Sequence, residues 1–309
     1  MNTRRDQSGQ AFVLTVLFMT ALVGMAALVV DLGSWFRQHR QLQATADAAA
    51  LAGAQELPGS TGDARAYALD YADDNTKDLQ SVTVTFSTGV EQDDTIHVHV
   101  KKPAPGIFAK VFGVDSVNEG AKASARVGGM QSAKYVAPIV VKSTHPMLNE
   151  CGGPCLGPGY ETTLPVSDTG APGSFSMLNL LGGSGTAGAS ELADWIKHGF
   201  DEELPIGGYY SAPGVKFNAH DIQEALGVRM NSPTPVMMFP VYDTLSGQGA
   251  NAEYHIIGWA PFYITGYEAH GNDGSITGYF TEMIWYGTLA TSSGGGGPNF
   301  GARTVQLIE

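Results

Sequence analysis

The chain has 309 residues, 43% of them hydrophobic and 15% charged, enough for one large domain or two ordinary ones. Its net charge of −13 lies wholly beyond residue 58, because residues 1–58 carry four Lys/Arg and four Asp/Glu. So acidic a body is a poor partner for nucleic acid or an anionic surface, and Gly 40 with Pro 16 favours turn-rich β structure over a helical bundle.

Ala11–Val30, "AFVLTVLFMTALVGMAALVV", is an uncharged run as long as one hydrocarbon thickness. A cleaved secretory signal would have a shorter apolar region followed by small residues; here Asp31, Leu32, Gly33, Ser34 and Trp35 follow and helical periodicity continues. The run therefore reads as an uncleaved anchor in the lipid bilayer. Arg4 and Arg5 with Asp6 on one side nearly balance Arg37 and Arg40 with Asp31 on the other. Orientation then rests on the large C-terminal body, which is expected outside the cytoplasm.

Beyond the run, Leu32, Trp35, His39, Leu42, Ala46, Ala49 and Gly53 recur at alternating steps of three and four, a seam along one helical face that ends at Pro58-Gly59. One helix from about 11 to 57 is expected, roughly 70 Å long. Alanine favours helix and lets another backbone approach closely. That suits a helix packed among copies of itself or similar helices through Leu32, Trp35, Leu42, Ala46, Ala49 and Gly53. The alternative is a stalk lying against its own domain. Gln43 and Asp47 need water or a partner.

Three stretches carry a family resemblance: Ser8-Gly9-Gln10 before the apolar run, Val30-Asp31-Leu32-Gly33 at its end, and "LQATADAAALAGA" at 42–54. Together they resemble the N-terminal segment of TadE/TadG-like proteins of Flp-type (tight-adherence, Tad) pilus systems. The resemblance implies a single-pass, pseudopilin-like, non-enzymatic protein that assists pilus assembly at the bacterial cell membrane, with other Tad proteins as partners of the helix. It also implies a prepilin-type cleavage bond at Gly9-Gln10. Processed relatives carry Glu five residues after the glycine, where this chain has Leu14. That argues against cleavage and for the TadG-like branch.

After the Pro-Gly turn, Ala64, Tyr67, Ala68 and Tyr71 predict a helix over 62–75. Strands follow at 81–87 and 95–102 around the polar turn "TGVEQDD", then a short helix over 105–113 closing at Gly113 and a strand at 118–128. His97 and His99 share one strand face, near Asp93 and Asp94; the solvent face of a strand accounts for the pattern as well as a metal would. Composition shifts near 129–135. Further strands are expected at 135–142, 235–244 and 253–269, and a continuation through "HGNDGS" at 276–290. Pro240 and Pro261 predict bent or edge strands. Helices are expected at 190–200, capped by Ser190 and stopped by Gly199, and at 218–227.

The expected architecture is thus α+β: residues 1–10 a cytoplasmic N-terminus, 11–58 transmembrane plus alanine-rich stalk helix, 59–130 a small pilin-like α+β module, and 131–309 a β-rich extracytoplasmic domain with two short helices and a Gly-rich linker at 292–301. Cys151 and Cys155 read first as a disulfide-closed loop in an oxidising compartment, with free thiols or a metal site as alternatives.

No nucleophile elbow, H-E-x-x-H, P-loop or dinucleotide fingerprint occurs, and His145, His220, His255 and His270 are scattered, so no catalytic residue or cofactor is assigned. "LLGGSGTAG" at 180–188 lacks the cation of a phosphate loop, and Asp201, Glu202 and Glu203 lack the oxygen spacing of a calcium loop. The aromatics of 254–286 read as a core or, alternatively, as a face for a surface or glycan ligand, with the helix only a tether.

Overall fold

The computed structural model describes residues 8–165, 177–183, 187–212, 217–270, 273–289 and 298–308. Two compact units divide the chain: residues 1–126 with 307–309, and residues 127–306.

The first unit begins with α1 (Ser8–Ala54), an unbroken helix of 47 residues, roughly 70 Å long. It ends three residues before Leu57, at the turns leading to Pro58-Gly59. Ser60 then caps α2 (Thr61–Asn75), its hydroxyl accepting the Asp63 N–H at 3.1 Å. An antiparallel meander follows: β1 (Ser81–Ser87), β2 (Thr95–Pro105) and β3 (Ser116–Gly129). The 105–113 segment forms a 3-10 turn at Ala109–Phe112, closed by Gly113 at φ 84°.

Alternation decides which sheet face is buried. Ile96, Val98 and Val100 of β2 pair with Ala125, Ala123 and Ala121 of β3, and all six are buried. Leu42, Ala46, Ala49, Ala50 and Ala54 of α1 and Ala64, Ala68 and Ala72 of α2 complete this core. The small side chains bring two helices and a sheet together closely. At Gly53 the approach is tightest: a Cβ there would stand 2.6 Å from the Ala64 carbonyl oxygen and 2.5 Å from Ile96 Cδ1.

The second unit contains β4 (Ser132–Ala133), β5 (Val141–Lys142), β6 (Thr162–Pro165), α3 (Ala189–His198), β7 (Leu204–Pro205), β8 (Gly207–Tyr210), α4 (His220–Met230), β9 (Val236–Ser246), β10 (Glu253–His270), β11 (Asp273–Phe280), β12 (Met283–Ile284) and β13 (Ala302–Leu307). Its main sheet runs β5-β9-β10-β11-β6, with β8 also on β10. The core is aromatic: Phe262 packs against Phe239 and Phe280 at centroid distances of 5.3 and 5.1 Å, and Tyr242 against Tyr254 at 4.9 Å. The fold is α+β with a β-rich C-terminal region.

Three local expectations need correction. Ser190 lies inside α3, whose cap is Gly188; Gly199 does stop the helix, at φ 79°. The 276–290 strand is broken, β11 ending at Phe280 and β12 pairing in parallel with β13. Pro240 and Pro261 sit in β9 and β10, and β10 is interior. Their missing N–H groups are tolerated because the ladders are incomplete there. β11 begins to pair only at Phe262, and β5 meets β9 only at Val241 and Tyr242.

Candidate functional site

The stretch of α1 most relevant to function is the passage from its bare half to its packed half. Residues 11–30 are exposed, apart from half-buried Ala27, and this helix contains an 18-residue window of mean hydropathy 2.6 with none of it buried. Among the described residues none of the first unit covers these side chains, which suit an apolar medium or other helices. Gly9 and Gln10 lie in the first turn of this helix. From Asp31 onwards the helix meets its own unit.

That meeting begins with a buried carboxylate. Asp31 accepts the backbone N–H groups of Ile107 (2.9 Å), Phe108 (3.2 and 3.0 Å to its two oxygens) and Ala109 (2.5 Å). Three successive N–H donors on one carboxylate fix the turn after β2 against the helix. Further along, Trp35 Nε1 donates to the Pro105 carbonyl at 3.1 Å and Gln38 Nε2 to the Lys102 carbonyl at 3.2 Å. The contacts climb α1 while descending β2, so helix and strand run antiparallel. Gln43 Nε2 then donates to Asp47 (2.8 Å) and to the Lys122 carbonyl (2.9 Å), which gives both polar residues their partners.

The seam divides accordingly. Leu42, Ala46 and Ala49 are fully buried and Gly53 is buried beside α2 and β2, so the chain's own module occupies this part of the seam. The sequence favoured neighbouring subunits for that role, and the reason for the difference is Ala64, Ala68 and Ala72 of α2, which offer an equally smooth surface in the same chain. Leu32 is 51% exposed, and Trp35 is half-buried. The apolar surface of α1 that its own unit leaves bare therefore lies mainly in residues 11–36, while Arg37, His39, Arg40, Gln41 and Ala44 form an exposed flank beyond it.

Other residues singled out by the sequence are dispersed. His97 is flanked by the Ser87 and Ser124 hydroxyls at 2.7 and 2.8 Å, so both ring nitrogens have partners. His99 has its pKa lowered by burial and by Lys101 and Lys122. Lys134 reaches Asp201 at 3.3 Å, and Glu203 accepts from the Ser132 hydroxyl. Among the described residues no three His, Cys, Asp or Glu side chains converge as metal ligands. Cys151 and Cys155 are bonded to each other, Cα atoms 5.3 Å apart. Tyr254, Trp259, Phe262 and Phe280 belong to the core; Tyr263 and Tyr279 stack half-buried at 4.9 Å, Tyr267 and Trp285 are half-buried, and Tyr286 is 69% exposed. Of the 271–274 turn only Asp273 and Gly274 are described, and of the Gly-rich 292–301 segment only residues 298–301.

The exposed helix and its clamp coincide with a family match. Residues 9–56 fit the family model described as "Putative Flp pilus-assembly TadE/G-like". This segment is therefore similar to that of the Tad pilus-assembly family. The Tad segment spans α1 from its second residue to just past its end, and includes both the bare half and the buried alanine seam. No curated protein and no solved structure matches the chain. Sequence reading missed Asp31 as a structural residue. Its signal was present, a lone carboxylate at the end of an uncharged run, but its partners lie 76 to 78 residues away.

Proposed function

We propose that this protein is a membrane-anchored, pseudopilin-like, non-enzymatic component of a Flp-type pilus or a related secretion machine. Residues 11–30 hold it in the membrane, and the rest of the chain stands on the extracytoplasmic side as structural material rather than as a catalyst. The observation that carries this reading is that the Tad segment is a helix with one half bare and apolar and the other half sealed into its own small module. A module so built is rigidly joined to its anchor, as an assembly component must be. The Cys151–Cys155 bond supports an oxidising compartment for the body.

Other pilus-assembly proteins are the proposed partners, met through residues 11–36. Leu14 supports a permanent membrane resident over a processed pilin. Deleting the gene should stall piliation, read as loss of filaments in the sheared surface fraction; normal filaments in the deletion strain would overturn the assignment. Mass spectrometry of the native N-terminus should find it upstream of Gly9, whereas a start at Gln10 would mean processing in spite of Leu14.

A further inference from the structure

We infer that the turn between β2 and β3, residues 106–114, is a second membrane contact: it inserts its apolar side chains into the headgroup boundary of the bilayer that α1 crosses. The inference rests on reading residues 11–30 as the span, and adds to it a surface that the family segment does not contain.

Position is the first argument. Asp31, which holds the turn, directly follows Val30, the last residue of the apolar run, and the antiparallel course of α1 and β2 puts residues 107–109 at the membrane end of the sheet. The other end of β2 is eleven residues away, about 35 Å.

Exposure is the second. Ile107 (56%), Phe108 (43%), Val111 (82%), Phe112 (80%) and Val114 (41%) all point away from the unit's core, within eight residues of sequence. A turn in water gains nothing from such a group, and burying it in the bilayer boundary is favourable in proportion to the apolar area removed from water. Gly106 permits the tight base, since a Cβ there would stand 2.5 Å from the Val114 carbonyl oxygen.

Charge is the third. Lys110 interrupts the apolar run and has a stem long enough to reach phosphate level. Immediately above, a cleft of about 270 Å³ is lined by Ser34, Arg37, Gln38, Gln41, Lys102 and Ile107 among others, with no carboxylate. On a body whose net charge is negative, this end presents cations and amide donors where headgroup phosphates would lie. Trp35 and Phe36 add aromatic rings at the same level of α1. Two attachments, helix and turn, would set the tilt of the module relative to the membrane. The helix alone would leave it free to lean.

The test uses the full chain in vesicles of phosphatidylethanolamine and phosphatidylglycerol, with the native disulfide kept. An environment-sensitive NBD label is placed on Phe112→Cys, on Val23→Cys in the span, or on Gln92→Cys in the distal turn, all at exposed positions. Lipids carrying a nitroxide high or low on the acyl chain then quench by depth. Label 23 should be quenched best by the deep nitroxide, label 112 by the shallow one at least threefold more than label 92, and Asp31→Asn should bring label 112 towards label 92. If label 112 behaves as label 92 while label 23 is quenched, the turn contact is wrong and the anchor stands. If label 23 is also unquenched, the anchor reading itself fails. Shielding of label 112 from aqueous iodide that grows with protein-to-lipid ratio, without nitroxide quenching, would assign the surface to another protein and overturn the proposal. Unchanged quenching in Asp31→Asn would remove Asp31 as the positioning residue.

Discussion

At one end of β2 the turn "TGVEQDD" is closed by Asp94, whose carboxylate accepts the Gly89, Val90 and Glu91 N–H groups at 2.7, 2.7 and 2.9 Å. At the other end the turn "GIFAKVFGV" is closed by Asp31, whose carboxylate accepts three N–H groups at comparable distances. The device is the same, because three adjacent turn amides always need acceptors and a carboxylate can serve them all. Its origin differs: Asp94 belongs to the turn it closes, and Asp31 is brought there by α1. The surroundings differ too, one turn being polar and the other apolar. A local carboxylate only shapes a turn, whereas a distant one also docks it, and here it ties the sheet to the helix at the end of the apolar run.

Four measurements would break or sharpen this comparison. The largest effect is expected from Gly53→Val, which forces side-chain atoms onto the Ala64 carbonyl and Ile96; it should destabilise the first unit by about 3 kcal/mol in chemical denaturation. Because the strain falls between α1 and the sheet, hydrogen exchange at Ile107–Ala109 should accelerate more than at Gly89–Glu91. Equal acceleration would mean that the Asp31 turn does not depend on helix docking.

Asp94→Ala comes next, at about 2 kcal/mol, since three backbone donors and the Thr95 hydroxyl lose a buried acceptor. Exchange should then quicken at the distal turn and leave residues 107–109 unchanged.

The same variant supplies the pH test. Burial raises the Asp94 pKa, but hydrogen bonds from Glu91, Val90, Thr95 and Gly89 outweigh it and hold the carboxyl below its ordinary 3.8. A group depressed in the folded state stabilises fully above its unfolded pKa and loses that contribution as pH falls through the folded value. The difference between wild type and Asp94→Ala should therefore be flat from about pH 8 to about pH 5 and shrink below about pH 4. A difference that shrinks at neutral pH would contradict the assignment.

The smallest effect belongs to Asp243, which meets His255 Nδ1 at 2.8 Å and, of backbone donors, Thr244 rather than three successive N–H groups, on an open surface. The His255 hydrogen bond holds the Asp243 carboxyl low, but solvent screens the pair, and Asp243→Asn should change stability by less than about 0.5 kcal/mol. A larger loss would show that the count of backbone donors is not what separates these carboxylates.

Periodicity made much of this fold legible. The apolar run, the two-residue alternation of β1 and β2 and the three-and-four spacing in α1 and α2 are patterns that a few neighbouring residues create, so the elements could be read before any packing was known. Gly199 and Gly113 marked their helix and turn ends for the same local reason. The alternation was misleading at 276–290, where backbone leaves one partner strand at Phe280 and finds another in β13.

By itself the sequence determined that a membrane-length helix continues into an alanine-rich half, and that this segment resembles the Tad segment. It could not determine what the alanines touch, because a methyl face accepts a neighbouring subunit or the chain's own helix equally well. Only the tertiary structure decided for α2 and β2, and only it brought Asp31 to residues 107–109. Both outcomes depend on contacts between residues far apart in the chain, where spacing carries no information and complementary shape and unsatisfied backbone amides select the partner.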